Sequence, residues 1–198
     1  MRKICACDFD GTLTTRDTLL VFIRYTQGMR AFVIGFLRHA HLLVLMKLGL
    51  YPNWKVKQRI FSYYFKGMTI DVFDALCRRF AAKNHQLLRP EGIKTLQQAQ
   101  ADGAEVVIIS ASIDNWVRPF FTVHLPHVKI VGTQVEVSNR RLTGRFLTPN
   151  CYGKEKVNRL LALYPDRHEY QLTAYGDSRG DKELLAFADE AHYKPFRL

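Results

Sequence analysis

The chain has 198 residues, of which 47% are hydrophobic and 12% aromatic. This composition excludes a disordered chain, and the length suits one α/β domain with room for an inserted subdomain. The formal net charge is +11, and most of the excess lies between residues 14 and 89, where 13 Lys and Arg face three acidic residues. A segment with such a field attracts anions, such as phosphorylated substrates, anionic lipid surfaces or nucleic acid.

The first predicted strand is an apolar run at residues 4–9 that ends in the acidic turn Asp8-Phe9-Asp10-Gly11-Thr12. Further strands are predicted at residues 105–109, 128–131, 171–175 and, at an edge, 191–194. Helical patterns are expected at residues 92–102, 115–123, 154–164 and 182–189. A hairpin is expected between them, with strands at residues 134–137 and 141–146 joined by a Ser-Asn turn. Strands that alternate with helices predict an α/β fold with a parallel sheet covered on both faces.

The long segment from residue 17 to residue 83 does not continue this alternation. It is predicted to be helical, with breaks near Gly28, residues 49–52 and Gly67. Since it follows the acidic turn of the first strand, we expect it to form a cap over that turn. The predicted organisation is a catalytic core at residues 1–14 and 90–198, with a helical cap at residues 15–89.

Cysteine usage and hydropathy bear on the cellular setting. The four cysteines form no C-x-x-C pair, which favours buried free thiols and a reducing, cytoplasmic protein. No secretory signal is expected from the first residues. The longest apolar stretch, residues 31–50, is interrupted by Arg38, His39, His41 and Lys47. Because a central arginine is costly in a bilayer, this stretch is not expected to span a membrane.

Two carboxylates separated by one residue and followed by Gly-Thr suit metal-assisted phosphoryl transfer. Asp8 is predicted to be the nucleophile and, with Asp177 and the backbone carbonyl of Asp10, to bind Mg²⁺ through hard oxygen ligands. The Asp10 side chain would protonate the leaving oxygen and then activate water. Gly11 and Thr12 would complete a turn whose N–H groups bind the phosphate.

Residues that follow other strands are predicted to reach the same crevice. Ser110 would supply a hydroxyl to the phosphate and Ala111 a backbone donor, with Ser112 as a neighbour able to share that role. Lys156 would neutralise the phosphoryl charge. Asp181 would hold a metal-bound water or orient Lys156.

These residues resemble the motifs of the haloacid-dehalogenase (HAD) superfamily. Asp8-Phe9-Asp10-Gly11-Thr12 is similar to the first motif, D-x-D-G-T, and residues 106–110 to the second. Lys156 is similar to the third-motif lysine, with Lys154 as an alternative, and residues 176–181 to the fourth motif, G-D-x-x-x-D. The resemblance implies a Rossmann-like parallel core, Mg²⁺ and an aspartyl-phosphate intermediate.

The helical insertion resembles the phosphoserine-phosphatase-like subgroup. The run Cys151-Tyr-Gly-Lys-Glu-Lys156-Val is similar to the C-x-G-x-E-K-V run of phosphatidylglycerophosphatase C-like proteins. Gly180 departs from the Asn that phosphoserine phosphatases usually carry there, which weakens phosphoserine itself as the substrate.

The cap is expected to select the substrate. Asp17 and Arg59 are candidate substrate contacts, and the basic run of Lys55, Lys57 and Arg59 could bind a second anionic group of the substrate. A basic and apolar cap favours a phosphorylated lipid precursor and peripheral contact with a membrane. A small soluble phosphomonoester, a phosphomutase reaction and a phosphate-binding protein without turnover are the alternatives. A nucleic-acid partner is not expected, because no recognition module accompanies the charge.

Overall fold

The structure, a computed structural model, describes residues 1–125 and 127–197. Five parallel strands form a sheet in the order β3-β2-β1-β6-β7, and β4 and β5 form a separate antiparallel hairpin. The elements in chain order are β1 (Arg2–Cys7), α1 (Thr18–Arg38), α2 (Ala40–Lys47), α3 (Asn53–Phe65), α4 (Ile70–Lys83), α5 (Pro90–Ala101), β2 (Glu105–Ile113), α6 (Asp114–Val117), β3 (Lys129–Thr133), β4 (Val135–Ser138), β5 (Arg141–Phe146), α7 (Lys154–Leu163), β6 (Tyr170–Gly176), α8 (Lys182–Phe187) and β7 (Glu190–Tyr193). The predicted α/β class with a helical insertion after the first strand is confirmed.

The central strand β1 packs both of its faces into the protein. Ile4 and Ala6 join a cluster on one side of the sheet with residues of α7 and α8, whereas Cys5 and Cys7 join the larger cluster on the other side. This division follows from the two-residue period of a strand. All four cysteines are buried and free, including Cys5 and Cys7, whose burial in a strand is predicted. The sheet is therefore covered on both faces.

The inserted helical segment is divided by four breaks. Gly28 has a φ of +78° inside α1, and His39 separates α1 from α2. Residues 48–52, where a break is predicted, separate α2 from α3, and Gly67, with a φ of +84°, lies between α3 and α4. The apolar stretch at residues 31–50 is thus split between two helices. By length and composition α1 could cross a membrane, a property that it shares with core helices of soluble proteins. The first half of α1 contributes fully buried residues such as Phe22 to the core.

Aromatic packing attaches the helical segment to the core. Phe22 of α1 stacks on Trp116 of α6 with ring centroids 5.0 Å apart. It also contacts Phe65 of α3 and Phe80 of α4 at 5.4 and 5.1 Å. Such pairs add to the free energy gained by burying the rings. The helical segment and the sheet therefore share one continuous hydrophobic cluster.

Backbone hydrogen bonds join the segments where the chain enters and leaves the insertion. The N–H of Thr15 donates to Leu87 at 2.9 Å, and the N–H of Arg89 donates to Leu13 at 2.7 Å. The two crossings lie side by side, which is the geometry that an insertion requires. The boundaries at residues 14/15 and 89/90 stay a prediction.

The β4–β5 hairpin also contacts the insertion. Leu142 of β5 donates its N–H to Met68 at 2.9 Å and accepts from the N–H of Gly67 at 2.8 Å. Phe146 donates its N–H to the side chain of Gln58 in α3 at 2.9 Å. The turn is centred on Asn139 and Arg140, both with positive φ, one residue later than the predicted Ser-Asn turn.

One predicted helix is much shorter than expected. The pattern at residues 115–123 forms a single α-helical turn, Asp114–Val117, followed by a 3-10 turn, Arg118–Phe120. Pro119 has no N–H with which to continue the helix. The apolar spacing continues beyond Val117, but the helix does not, because Pro119 interrupts its hydrogen bonding.

Candidate active site

Three neighbouring strands end at one cleft, and each contributes a polar side chain to it. Asp8 follows β1, Ser110 lies in β2, and Asp177 follows β6. These side chains are 1% to 8% exposed and line a cavity of about 460 Å³. The carboxyl ends of parallel strands are where open α/β sheets bind ligands. The cleft is therefore the candidate active site.

Asp8 shares one ammonium group with a second carboxylate. Lys156 Nζ lies 2.5 Å from Asp8 Oδ1 and 2.5 Å from Asp181 Oδ1. Burial raises the pKa of Asp8 to about 7, although Lys156 opposes the shift. Burial also acts to lower the pKa of Lys156, but the two carboxylates outweigh it and raise that pKa above its usual value. Lys156 is therefore a fixed positive charge beside Asp8.

The two candidate lysines of α7 lie in different environments. Lys156 is 2% exposed and contacts Asp8. Lys154 is exposed at the first position of the helix. Of the two, Lys156 is the one whose ammonium group lies in the cleft.

The Thr12 hydroxyl lies between the two carboxylates that follow β1 and β6. Thr12 Oγ1 lies 3.2 Å from Asp8 Oδ2 and 3.3 Å from Asp177 Oδ1. Its side chain is 2% exposed and is directed at these oxygens. The N–H of Gly11 donates to Thr14 Oγ1 at 3.1 Å. The Gly11 N–H thus has a partner within the turn, and the binding of phosphate by the N–H groups of this turn stays a prediction.

A glycine is required at position 11 by the backbone conformation and by the nearby Asp177 carboxylate. Its φ is +81°, a conformation that side chains disfavour. A Cβ built on Gly11 would lie 2.5 Å from Asp177 Oδ2. The glycine therefore lets the turn approach the Asp177 carboxylate.

The donor set of the cleft suits a hard divalent cation. Carboxylate oxygens of Asp8, Asp177 and Asp181 lie within 4.8 Å of one another, and all three residues are buried. Oxygen ligands of this kind are the ones that Mg²⁺ binds. Burial raises the pKa of Asp177, against the effect of the Arg197 guanidinium that contacts it.

Asp181 already has several donors besides Lys156. Its Oδ2 accepts from the N–H of Asp177 at 3.1 Å and from the N–H of Ser178 at 2.9 Å. Burial acts to raise the pKa of Asp181, but Lys156 and the Ser178 donors lower it overall. Asp181 therefore holds the Lys156 ammonium group and the backbone that follows β6.

The Asp10 side chain points toward the start of α1. Its Oδ1 accepts from the N–H and the hydroxyl of Thr18 at 2.7 and 2.6 Å, and its Oδ2 accepts from Ser112 Oγ. Thr18 Oγ1 in turn accepts from Trp116 Nε1 at 3.2 Å. Burial, and then the nearby Asp17 charge, raise the pKa of Asp10. A carboxyl group that is held in place and disposed to carry a proton suits acid/base chemistry.

The β2 segment of the cleft is held by hydrogen bonds to its backbone. Ser110 Oγ accepts from the N–H of Ser112 at 3.0 Å. The carbonyl of Ala111 accepts from Lys57 Nζ at 2.6 Å and from Thr133 Oγ1 at 2.9 Å. Ser110 and Ala111 both line the cavity.

The two predicted substrate contacts have different outcomes. Asp17 lines the cavity and caps α1, accepting from the N–H groups of Leu19 and Leu20 at 2.9 and 3.3 Å. Arg59 does not line the cavity. It lies on the outer side of α3, among the residues of a separate surface pocket. Arg59 lies outside the cleft because helical spacing directs it away from the face that covers the cleft.

Lys57 takes the place expected of Arg59. It lines the cleft, and burial lowers its pKa against the opposing charges of Asp10 and Asp17. Its bond to Ala111 crosses 54 positions of sequence. The sequence placed Lys57 in a basic run, but only the phase of α3 distinguishes it from its neighbours. Thr18, which holds Asp10, gave no signal beyond its position at a helix start.

Much of the cleft wall is apolar. The insertion contributes the aliphatic and aromatic side chains of Leu19, Leu20, Phe36, Leu43, Met46, Val56 and Ile60. The charged groups therefore lie at the floor of a cleft whose cap side is hydrophobic.

This combination of fold and site agrees with a comparison against protein families. The model of the haloacid dehalogenase-like hydrolase family matches residues 5–186, so the chain belongs to that family. The protein is thus a HAD hydrolase with an α/β core and an inserted cap.

Individual proteins and solved structures are also similar to this chain. Protein CicA of Caulobacter vibrioides (strain NA1000 / CB15N) is 37% identical over 198 residues, which cover 98% of this chain and 86% of CicA. A structure of a Bordetella pertussis Tohama I protein of unknown function superposes with a TM-score of 0.81 at 17% identity, covering 94% of this chain and 86% of that one. A probable phosphoserine phosphatase from Vibrio cholerae gives a TM-score of 0.67 at 17% identity, covering 95% and 54%. At these identities the two structures show a shared fold.

Proposed function

We propose that this protein is a Mg²⁺-dependent phosphatase that hydrolyses phosphomonoesters through an aspartyl-phosphate on Asp8. The observation that carries the proposal is the buried Asp8 carboxylate, held by Lys156 at 2.5 Å within 4.8 Å of two further carboxylates. An acyl phosphate divides hydrolysis into two displacements at phosphorus.

In the first displacement an oxygen of Asp8 forms a bond to phosphorus while the bond to the leaving oxygen breaks. Asp10 gives its proton to that leaving oxygen. In the second, water attacks phosphorus, Asp10 takes the proton of the water, and the Asp8 carboxylate and free phosphate are released. The raised pKa of Asp10 supports this alternation, since an acid/base group works best with a pKa near the working pH.

The phosphoryl oxygens need donors and positive charge throughout the transfer. Lys156 would neutralise them from beside Asp8, and Ser110 would donate its hydroxyl. Ala111, Gly11 and Thr12 stay candidates for backbone contacts. Thr12 would also hold the carboxylates of Asp8 and Asp177 in place through its hydroxyl.

Asp8, Asp177 and the backbone carbonyl of Asp10 would hold Mg²⁺, with Asp181 supporting them. When bound, the ion supplies positive charge to the phosphoryl oxygens. The buried cluster of hard oxygen ligands supports this assignment.

For the substrate class we propose an amphiphilic phosphate, such as a phosphorylated lipid precursor at the cytoplasmic face of a membrane. The apolar cap wall supports it, because side chains such as Phe36, Leu43 and Met46 would cover an acyl or similar chain. A small soluble phosphomonoester with a second anionic group is the second candidate. Lys57 favours that candidate, since it is a second cation that lines the cleft in addition to Lys156, which contacts Asp8.

The reaction is tested by hydrolysis of an aryl phosphate with and without Mg²⁺. We expect the wild type to release phosphate and to stop when the metal is chelated. Asp8→Asn should reduce the rate to that of buffer, and Asp10→Asn should lower kcat by about 10²–10⁴-fold. Equal rates for the wild type and Asp8→Asn would refute the proposal.

The substrate class is tested by a panel of lipid phosphates in mixed micelles, phosphoserine and sugar phosphates. A higher kcat/KM for lipid phosphates than for soluble ones would support the amphiphilic substrate. The reverse order would favour the soluble candidate.

A further inference from the structure

The outer side of α3 carries a basic pocket that is separate from the active site. Lys55, Arg59 and Lys66 line this open pocket, which has a volume of about 770 Å³. Lys55 and Arg59 lie at helical spacing on one side of α3, and Lys66 follows its last residue, whereas Val56 and Lys57 line the cleft. A period of 3.6 residues sends these two sets to opposite sides of the helix. One helix therefore covers the active site and presents a cationic surface to the outside.

Within the part of the chain that the structure describes, no carboxylate pairs with Lys55, Arg59 or Lys66. The lining of the pocket has no acidic side chain. A fourth cation, Arg145, donates to Glu136 at 3.0 Å. The pocket therefore has uncompensated positive charge and free donors for an anion.

Exposed apolar side chains occur next to residues of this pocket: Leu50 precedes Tyr51, which lines it, and Leu147 lines a neighbouring depression that shares Trp54 and Gln58 with it. Leu48 and Leu50, in the connection that leads into α3, are 66% and 72% exposed, and Leu147, beyond β5, is 64% exposed. Trp54 is 42% exposed and lines the pocket with Lys55, whose ammonium group lies 5.5 Å from the indole centroid. Indole and tyrosine rings combine an apolar body with a polar edge, as bilayer interfaces favour.

A depression connects the basic pocket to the active site. Trp54 and Gln58 line both the basic pocket and this depression. Asn150 and Tyr152 line both the depression and the catalytic cleft. A molecule held at the basic pocket would therefore lie next to a depression that adjoins the cleft.

We propose that Lys55, Arg59, Lys66, Leu50 and Leu147 form a docking surface for an anionic lipid bilayer, with a headgroup phosphate in the basic pocket. Cations and exposed aliphatic groups together match the charge and the acyl boundary of such a bilayer. A single-stranded nucleic acid fits less well, because it binds by stacking on aromatic rings and leaves exposed leucines without a partner. The proposal does not depend on the phosphatase chemistry, since docking requires no turnover.

The test is sedimentation of the full chain with vesicles of phosphatidylcholine, with and without phosphatidylglycerol. We expect binding to the anionic vesicles that weakens with added salt. The triple variant Lys55→Gln, Arg59→Gln, Lys66→Gln should bind on the order of 100-fold more weakly, from about a fivefold loss per charge. The matched control is Arg79→Gln, Lys83→Gln, Lys94→Gln, which removes equal charge from exposed sites on α4 and α5.

The control variant should keep most of the binding. Equal loss in both triple variants would mean that net charge alone is responsible, and would overturn the proposed surface. Leu50→Ser with Leu147→Ser should also weaken vesicle binding, and full binding by that variant would contradict bilayer contact.

A polynucleotide added as competitor tests the alternative that the surface binds a nucleic acid. Binding to the polynucleotide without binding to anionic vesicles would overturn the bilayer proposal. The triple variants should hydrolyse a soluble aryl phosphate at the wild-type rate, which shows that they are folded. Asp8→Asn should bind vesicles like the wild type, so failure of docking and failure of the chemistry are distinguishable.

Discussion

At the residue scale, the environment of Asp8 depends on how one ammonium group is divided between two carboxylates. Lys156 contacts both Asp8 and Asp181, but Asp181 also accepts from Ser178 and from the N–H of Asp177. Asp181 is therefore the better-stabilised anion, which agrees with its lowered pKa and with the raised pKa of Asp8. Asp8 is thus the carboxylate of this pair whose negative charge has fewer stabilising contacts.

Gly11→Ala tests the close approach of the turn to Asp177. The substitution places a side chain at positive φ and a Cβ 2.5 Å from Asp177 Oδ2, so we expect loss of stability and of phosphatase activity. Gly103→Ala is the matched control, since its φ is also +81° but nothing lies within 4 Å of its Cβ. It should lose about 1–3 kcal/mol of stability through backbone strain alone and keep its activity.

Thermal unfolding and Mg²⁺-dependent hydrolysis of an aryl phosphate measure the two effects in both variants. Wild-type turnover and Mg²⁺ dependence in Gly11→Ala would show that the Asp177 carboxylate does not need the space that the glycine leaves.

Lys57→Met tests the cation on the cap side of the cleft. If Lys57 binds a second anionic group, KM should rise for substrates that carry one, with a smaller change in kcat. An aryl phosphate without such a group should show an unchanged KM. Lys55→Met, on the outer side of the same helix, should leave the kinetics of soluble substrates unchanged. Equal kinetics for Lys57→Met and the wild type on every substrate would exclude this role.

The sequence predicts those candidate catalytic residues that belong to short motifs. Asp8, Asp10 and Asp177 each follow a strand, and strand ends are predictable from hydrophobic runs. The sequence does not distinguish Lys57 from Lys55 and Arg59, and it does not single out Thr18, because their contacts depend on the phase of a helix and on its docking angle. Those properties follow from tertiary packing and leave no local signal.

At the element scale, the observed ends of helices and strands differ from the predicted ones where a residue such as proline interrupts an apolar periodicity. The strands lie within two residues of most predicted bounds, except that β2 runs on to Ile113. Pro119 ends α6 early, although apolar residues continue to Phe121. The predicted breaks at Gly28 and Gly67 are confirmed by positive φ values, because glycine adopts them without strain.

Phe22→Ala tests how the cap helices are anchored. Phe22 is fully buried and contacts aromatic rings from α3, α4 and α6. Its removal should cost about 3–5 kcal/mol of unfolding free energy. Leu37→Ala, later in α1 at a position that is 70% exposed, should cost less than about 0.5 kcal/mol.

Urea unfolding followed by circular dichroism measures both variants. We expect a single transition in each, since the insertion and the sheet share one hydrophobic cluster. A separate early transition in the wild type would contradict a continuous core.

At the scale of the whole molecule, the sequence predicts where the charge lies in the chain but not how the fold distributes it. The basic segment becomes one helical insertion, and α3 divides its cations between the cleft and the outer surface. The hairpin then contacts α3 from the C-terminal part of the chain. Neither arrangement could be read from the sequence, because each depends on contacts between distant segments.

The nucleophile is the central claim, and trapping the covalent intermediate tests it most directly. The Asp10→Asn variant should still be phosphorylated by an aryl phosphate, whose leaving group needs no proton, but should be slow to activate water. Acid quenching and peptide mass mapping should then find one phosphoryl group on Asp8. A phosphoryl group on another residue, or turnover that persists in Asp8→Asn, would contradict the account.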